Sequence, residues 1–234
     1  MGDTETSDYF KSWDDDRFSE NHRIYQTVGL VSKAAVRGDV LDLGCGSRVY
    51  YDTSEVQRWV GLDLSAILLN DIKFLGGSPP NGPVETLVHG CKDLPFAPKS
   101  FDAVCAMFIL HHLGSKTRAN SYGAVSEAIG EARRVLRPNG FMLILETWPK
   151  KLMHLYHLLY PVINPLTRRT TGVVLPYFFG PRAIRTMASD AGFSDCHVLA
   201  VDLYEKVHQP VLGFDLPAWA QRLFQTYTIY LLRA

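Results

Sequence analysis

In the stretch Val40-Leu41-Asp42-Leu43-Gly44-Cys45-Gly46-Ser47 an apolar run gives way abruptly to a glycine turn. No other stretch restricts the fold as much. Val40, Leu41 and Leu43 read as a short buried parallel strand, because strands covered on both faces lose the alternation of polar and apolar residues. Gly44 and Gly46 permit a sharp turn with no side chain above it. In open α/β sheets such a turn, between the carboxyl end of a strand and a helix, lets backbone N–H groups approach a polar ligand. A second apolar run, Trp59 to Leu62, ends at Asp63, 21 residues beyond Asp42. A strand-end acid at about 20 residues past a glycine turn accepts hydrogen bonds from ribose hydroxyls in nucleotide-binding sheets. The two segments together predict an α/β fold with a nucleoside site.

Asp42 argues against a dinucleotide there. It precedes the glycines, where it would repel a pyrophosphate and attract an ammonium group. The last glycine of a G-x-G-x-x-G pattern is missing too, with Val49 and Tyr50 in its region. On these residues the chain resembles the class I S-adenosylmethionine-dependent methyltransferases, small-molecule type, over roughly two-thirds of its length. The resemblance implies a doubly wound α/β fold. Its seven-stranded sheet has order 3-2-1-4-5-7-6 with strand 7 antiparallel, an N-terminal helical cap and a lid insertion. It also implies S-adenosyl-L-methionine as cofactor. Asp42, Gly44, Cys45 and Gly46 then fall at the methionine part and Asp63 at the ribose.

Further residues extend the resemblance. Val84 to Val88 reads as strand three and leads to Asp93-Leu94-Pro95-Phe96. By resemblance Asp93 meets the adenine amino group, with Leu64 and Leu94 against the ring faces. Phe101 to Met107 is strand four, and Ala106 and Met107 at its end are expected to line the methionine pocket. A helix over Tyr122 to Leu136, a break at Arg137-Pro138-Asn139-Gly140 and a strand over Phe141 to Leu145 form the family's midpoint. One departure stands out: Arg48 replaces the usual third small residue, and Val49-Tyr50-Tyr51 runs straight into Asp52-Thr53-Ser54. The helix after strand one is therefore expected to be short or distorted. Ser65 is the expected N-cap of the next helix.

His111-His112 follows strand four, and a neutral imidazole can take a proton from a hydroxyl nucleophile. Adjacent side chains diverge, so one of the two at most faces the donor methyl. His112 is the catalytic candidate, against a hydrogen-bonded structural role. No metal site is expected, since neighbouring histidines share no ligand face. Glu146, at the carboxyl end of strand five, is a substrate-pocket candidate. Residues 148–181 exceed what a connection between layers requires and read as a lid, with Tyr160 a candidate for touching substrate. Their bulky apolar content suits an apolar substrate. The alternatives are an amphipathic patch on a membrane, edged by Lys150, Lys151, Arg168 and Arg169, or extra core with a homodimer contact.

The 234 residues suit a single methyltransferase domain, 1–234. Residues 1–37 form the cap, 38–147 the cofactor-binding core, 148–181 the lid and 182–234 the C-terminal core, with a second decoration at 208–221. Lys plus Arg equals Asp plus Glu, at 24 each, which leaves no global field to recruit nucleic acid. Cys45, Cys91, Cys105 and Cys196 lack metal spacing and read as reduced packing residues. No apolar run is long enough to span a bilayer and the N-terminus is acidic, so a cytoplasmic location is expected. The expected activity is methyl transfer to a small, largely apolar acceptor of secondary metabolism, with oxygen preferred. Two rivals remain: a cofactor-binding enzyme of non-methylating, cyclisation type, and a degenerate-site regulatory protein.

Overall fold

The structure is a computed structural model that describes residues 23–114, 117–149, 153–171, 175–201, 210–211, 214–215 and 225–234. Seven strands share one sheet: β1 (Gly38–Leu43), β2 (Val56–Asp63), β3 (Val84–Val88), β4 (Phe101–Met107), β5 (Leu136–Pro149), β6 (Asp195–Val201) and β7 (Gln225–Arg233). Their spatial order is β3-β2-β1-β4-β5-β7-β6. The first five are parallel, and β7 is antiparallel to both β5 and β6. This is the order and sense that the family resemblance implies.

The described α-helices are α1 (Arg23–Ala35), α2 (Ala66–Leu69), α3 (Arg118–Val135), α4 (Met153–Thr171) and α5 (Pro181–Asp190). Successive side chains on a strand point to opposite faces, and here both faces are covered. Leu41, Leu43, Leu62 and Val104 pack with Ala128 and Ile129 of α3 and Ile184 of α5 in one core. Val40, Trp59, Cys105 and Leu145 pack with Tyr25 and Val28 of α1 in the other. That explains why the strand-one sequence shows an apolar run and not an alternation.

The crossover after β1 departs further from the family than the sequence predicts. Residues 44–55 contain no helix at all. Arg48–Val49 is extended and pairs in parallel with Lys73–Phe74. Val49 and Tyr51 are buried, and the Tyr51 hydroxyl donates to Asp42 Oδ2 at 2.8 Å while Trp59 Nε1 donates to Tyr51 Oη at 2.7 Å. A β-branched residue followed by two tyrosines favours extended backbone, and the rings fill space that a helix would otherwise cover. The next crossover is cut short as well, since α2 has four residues. Ser65 occupies its N-cap position without capping through its side chain; its own N–H donates to Asp63 Oδ1 instead. With so little helix beside it, edge strand β3 is exposed along its whole length.

The midpoint differs too. The Arg137-Pro138-Asn139-Gly140 break lies inside β5, which starts at Leu136 and absorbs it as a register shift, with Asn139 at φ +65°. Strand five also runs past Leu145 to Pro149, because β7 pairs with it residue by residue from Arg233↔Phe141 to Gln225↔Pro149. Within the cap, α1 is described and residues 1–22 lie outside the described residues. Within the lid, α4 and residues 175–181 are described. The decoration at 208–221 is described only at the antiparallel pair Pro210–Val211 and Phe214–Asp215.

Candidate active site

The carboxyl ends of β1, β2 and β4 bring the predicted residues to one edge of the sheet. Asp42 pairs in register with Gly61 and Cys105, so it sits between the two neighbouring strands and is only 2% exposed. Tyr51 uses its Oδ2, while Oδ1 has no hydrogen-bond partner. Burial pushes the carboxyl up to about 7; the Tyr51 hydrogen bond opposes the rise and the nearby Asp63 charge adds to it. A buried carboxylate oxygen without a donor is costly, and a cationic ligand would relieve it.

The glycines beside it have separate reasons. Gly44 has φ +62°, and a Cβ there would lie 2.4 Å from Ile109 Cδ1, so the turn must pack tightly against the segment after β4. Gly46 has φ +57° and its Cβ direction opens onto empty space. Its N–H donates to Asp63 Oδ2 at 3.1 Å. Asp63 thus ties the glycine turn to the start of α2, and its second oxygen takes the Ser65 N–H at 2.8 Å. A carboxylate has about four lone-pair sites, so two backbone bonds leave capacity for hydroxyl donors. Burial raises its pKa, and those backbone N–H groups pull it back down. Cys45 is buried, and burial first, then Asp42 and Asp63, drives its thiol up, which disfavours the reactive thiolate.

Leu64 is 73% exposed and open to a ligand, whereas Leu94 is a core residue. Asp93 is exposed and takes φ +49°. The loop carrying it is clamped from α3: Glu131 Oε2 accepts the Leu94 N–H at 2.7 Å, and Arg134 donates to the carbonyls of Leu94 and Phe96 at 2.9 and 2.8 Å. Sequence reading passed over this clamp, because Glu131 and Arg134 look like an ordinary exposed helix pair. At the end of β4, Ala106 is fully buried and Met107 partly so. Phe108 then adopts φ +56°, an uncommon state for a bulky residue, held by its N–H bond to Leu145 O at 2.8 Å.

The two histidines divide their roles in a way that adjacency alone does not reveal. Both lie in the 3₁₀ turn Leu110–Leu113. Glu146 Oε1 accepts the Leu110 N–H and Oε2 lies 2.7 Å from His111 Nδ1. Glu146 is therefore a buried anchor of this turn, already occupied, and not a free wall of a substrate pocket. The carboxylate assigns the proton to Nδ1 of His111 and leaves the Nε2 lone pair as acceptor. His112 keeps an exposed edge, yet burial, and then His111, push its imidazole down to about 3, so it is neutral and weakly basic at pH 7. Of the two rings, His111 is the one that a carboxylate orients. Both residues of the pair were legible, but a separation of 35 positions hid their contact.

The irregular segment 175–179 packs onto this turn, and helix α4 fastens that segment. Phe178 stacks on His111 with centroids 5.1 Å apart, and Tyr177 N–H bonds the His111 carbonyl. Tyr156 Oη donates to Pro176 O and Tyr160 Oη to Leu175 O, at 2.6 and 3.0 Å. Tyr160 is 1% exposed, so it is a core residue that fastens the segment; Tyr156 and Phe178, partly exposed, supply the aromatic surface.

Comparison with known proteins bears on the domain and the fold. Residues 41–144 match a family model described as a methyltransferase domain. That stretch is thus similar to methyltransferase domains, over less than half of the chain. Over 106 residues the domain is 37% identical to a protein of Encephalitozoon cuniculi named as a methyltransferase, covering 45% of this chain and 43% of that one. Over 105 residues it is 30% identical to the bovine (Bos taurus) protein named tRNA methyltransferase 9B, covering 45% of this chain and 20% of that one. The chain thus spans less than half the length of these two curated relatives. The fold of a solved Thermotoga maritima methyltransferase covers 99% of this chain and 97% of its own, at a TM-score of 0.57 and 13% identity. S-adenosylmethionine is the cofactor of the family.

Proposed function

We propose that the chain transfers the sulfonium methyl of S-adenosylmethionine to a small, largely apolar acceptor, with an oxygen acceptor preferred. The observation that carries this reading is the unpaired, buried Oδ1 of Asp42 beside the open turn at Gly46. An ammonium group supplies the missing donor there, and Asp63 has lone pairs left for ribose hydroxyls. Asp93 takes the adenine amino group, Leu64 covers a ring face, and the backbone of Ala106 and Met107 borders the methionine. The cofactor, when bound, supplies an electrophilic methyl on a sulfonium. The chain's part is to hold an acceptor in line with it, which supplies much of such a rate enhancement. His111, oriented by Glu146, accepts the proton of a hydroxyl acceptor at Nε2, and His112 borders the same turn. Tyr156 and Phe178 give the acceptor an apolar wall.

The RNA acceptor in the bovine relative's name does not carry over. The match covers under half of this chain, and Lys plus Arg balances Asp plus Glu. One observation favours a second reading, a protein that binds without turnover: the helix after β1 is absent and Tyr51 already bonds Asp42. Calorimetric titration with S-adenosylmethionine and S-adenosylhomocysteine, beside Asp63→Ala, tests both. We expect both ligands to bind the wild type and to lose at least about tenfold in affinity with the variant, as for a lost charged hydrogen bond. Release of S-adenosylhomocysteine with apolar hydroxylated acceptors then supports turnover. No heat with either ligand overturns the enzyme reading.

A further inference from the structure

Helix α4 buries one face and turns an apolar face outward. Tyr160 and Asn164 are buried against the protein. On the far side, Leu155, Leu158, Leu159, Val162 and Leu166 are 54, 74, 44, 68 and 61% exposed. At about 100° per residue these five positions fall within an arc of about 100°, a continuous stripe along most of the helix. No described element covers it. A surface helix normally shows water a polar face, so this stripe has an unaccounted partner.

The charge around the stripe states what that partner is. From residue 147 to 189 the chain has no Asp or Glu, although it carries 24 acids in 234 residues. The same interval holds Lys150, Lys151, Arg168, Arg169, Arg182 and Arg185. Arg168 and Arg169 are exposed in the last turn of α4, and Arg169 lies on the same arc as the leucines. They border a cleft of about 490 Å³, lined also by Thr117, Asn164 and Pro165. An aliphatic stripe with cations at its end and no anion nearby is the pattern of a helix lying in the plane of an anionic bilayer. A second copy would set cations against cations with no acid to match them. An RNA would meet aliphatic side chains that neither stack nor donate hydrogen bonds. The 19-residue helix is also not apolar enough to cross a membrane.

We propose that the outer face of α4 docks the protein on membranes bearing anionic lipid headgroups. Leu155, Leu158, Val162 and Leu166 enter the interface, and Arg168 and Arg169 engage the phosphates. This goes beyond methyl transfer and does not depend on it, since docking requires neither the cofactor nor turnover.

The test is flotation of the full chain with phosphatidylcholine vesicles and with vesicles mixed with phosphatidylglycerol. The variants are Leu158→Glu/Val162→Glu and Arg168→Glu/Arg169→Glu, all at exposed positions. The wild type is expected to float with the mixed vesicles and not with phosphatidylcholine alone, and to dissociate as salt is raised. Each double variant should lose at least about tenfold in partitioning. Retention of the thermal unfolding temperature by both variants shows that docking, and not folding, was lost. The proposal is overturned if the wild type ignores mixed vesicles, or if the leucine–valine variant floats unchanged. It is equally overturned if the stripe proves to be a dimer contact, seen as a wild-type dimer that Leu158→Glu/Val162→Glu makes monomeric. Displacement from vesicles by bulk tRNA, with a wild-type tRNA complex that survives the leucine–valine change, assigns the cations to RNA and overturns it as well.

Discussion

Replacing Asp42 by Asn should stabilise the cofactor-free protein in mild alkali while weakening its hold on the cofactor. The carboxyl is 2% exposed and its pKa is raised from 3.8 to about 7. A group whose folded pKa lies above its unfolded value contributes stability that is fully present below the unfolded pKa and lost as pH rises through the folded one. At 1.36 kcal/mol per pH unit between those limits, the wild type should lose about 3 kcal/mol from this group between pH 5 and pH 8. The Asn variant has no such titration. Its new amide NH₂ would occupy the unpaired position and costs about 1–3 kcal/mol at every pH. Urea unfolding of both proteins across pH 5 to 8 reads the effect as a difference, which cancels the other titrating groups. The curves should diverge with rising pH, with the variant gaining on the wild type by about 3 kcal/mol. In parallel, loss of a charged partner should weaken S-adenosylmethionine by about 1.5–3 kcal/mol, roughly tenfold to somewhat over a hundredfold. Wild-type affinity should rise with pH through 7, as Asp42 ionises, and the variant's should stay flat. Parallel stability curves, or unaltered affinity in the variant, would refute the reasoning.

Two further outcomes follow from the site. His111→Asn should lower kcat with a hydroxyl acceptor by about 10²- to 10⁴-fold, leaving cofactor affinity unchanged; His112→Asn should cost much less, and the reverse ranking in steady-state assays would reassign the base. Gly44→Ala and Gly46→Ala should separate fold from binding. The former meets Ile109 at 2.4 Å and should destabilise by about 2–4 kcal/mol, while the latter should lose only about 1–2 kcal/mol of stability for its positive φ yet lose cofactor affinity, as thermal unfolding and calorimetry would show.

The local signals that identified the fold each carry their own physics. The run at Val40 to Leu43, the glycines after it and the acids at 42 and 63 are short-range features, and short-range features can be read from one sequence. What escaped reading is the long-range pairing. Glu131 and Arg134 are unremarkable on a helix until the Leu94 and Phe96 carbonyls lie above them. His111 and Glu146 were both visible, but adjacency made His112 the candidate because nothing local shows which ring a carboxylate reaches. Tyr160 looked like a lid residue because bulky side chains in an insertion have two possible faces, and the inward one was assigned only by packing.

The crossover after β1 shows how one local departure spreads. Val49-Tyr50-Tyr51 favours extended chain over helix, and the structure places Tyr51 under the sheet edge with its hydroxyl on Asp42. The helix N-terminus that would ordinarily add a positive dipole there is consequently lost. Two neutral donors, Tyr51 and behind it Trp59, remain on that side. They satisfy one carboxylate oxygen but bring no charge, so burial dominates and the Asp42 pKa rises. A helix dipole in that place would favour the ionised acid by about 0.3–1 kcal/mol. With burial raising its pKa to about 7, the acid is poised to titrate near neutrality, and we expect cofactor binding at Asp42 to release a proton, which titration calorimetry in buffers of different ionisation heat would read.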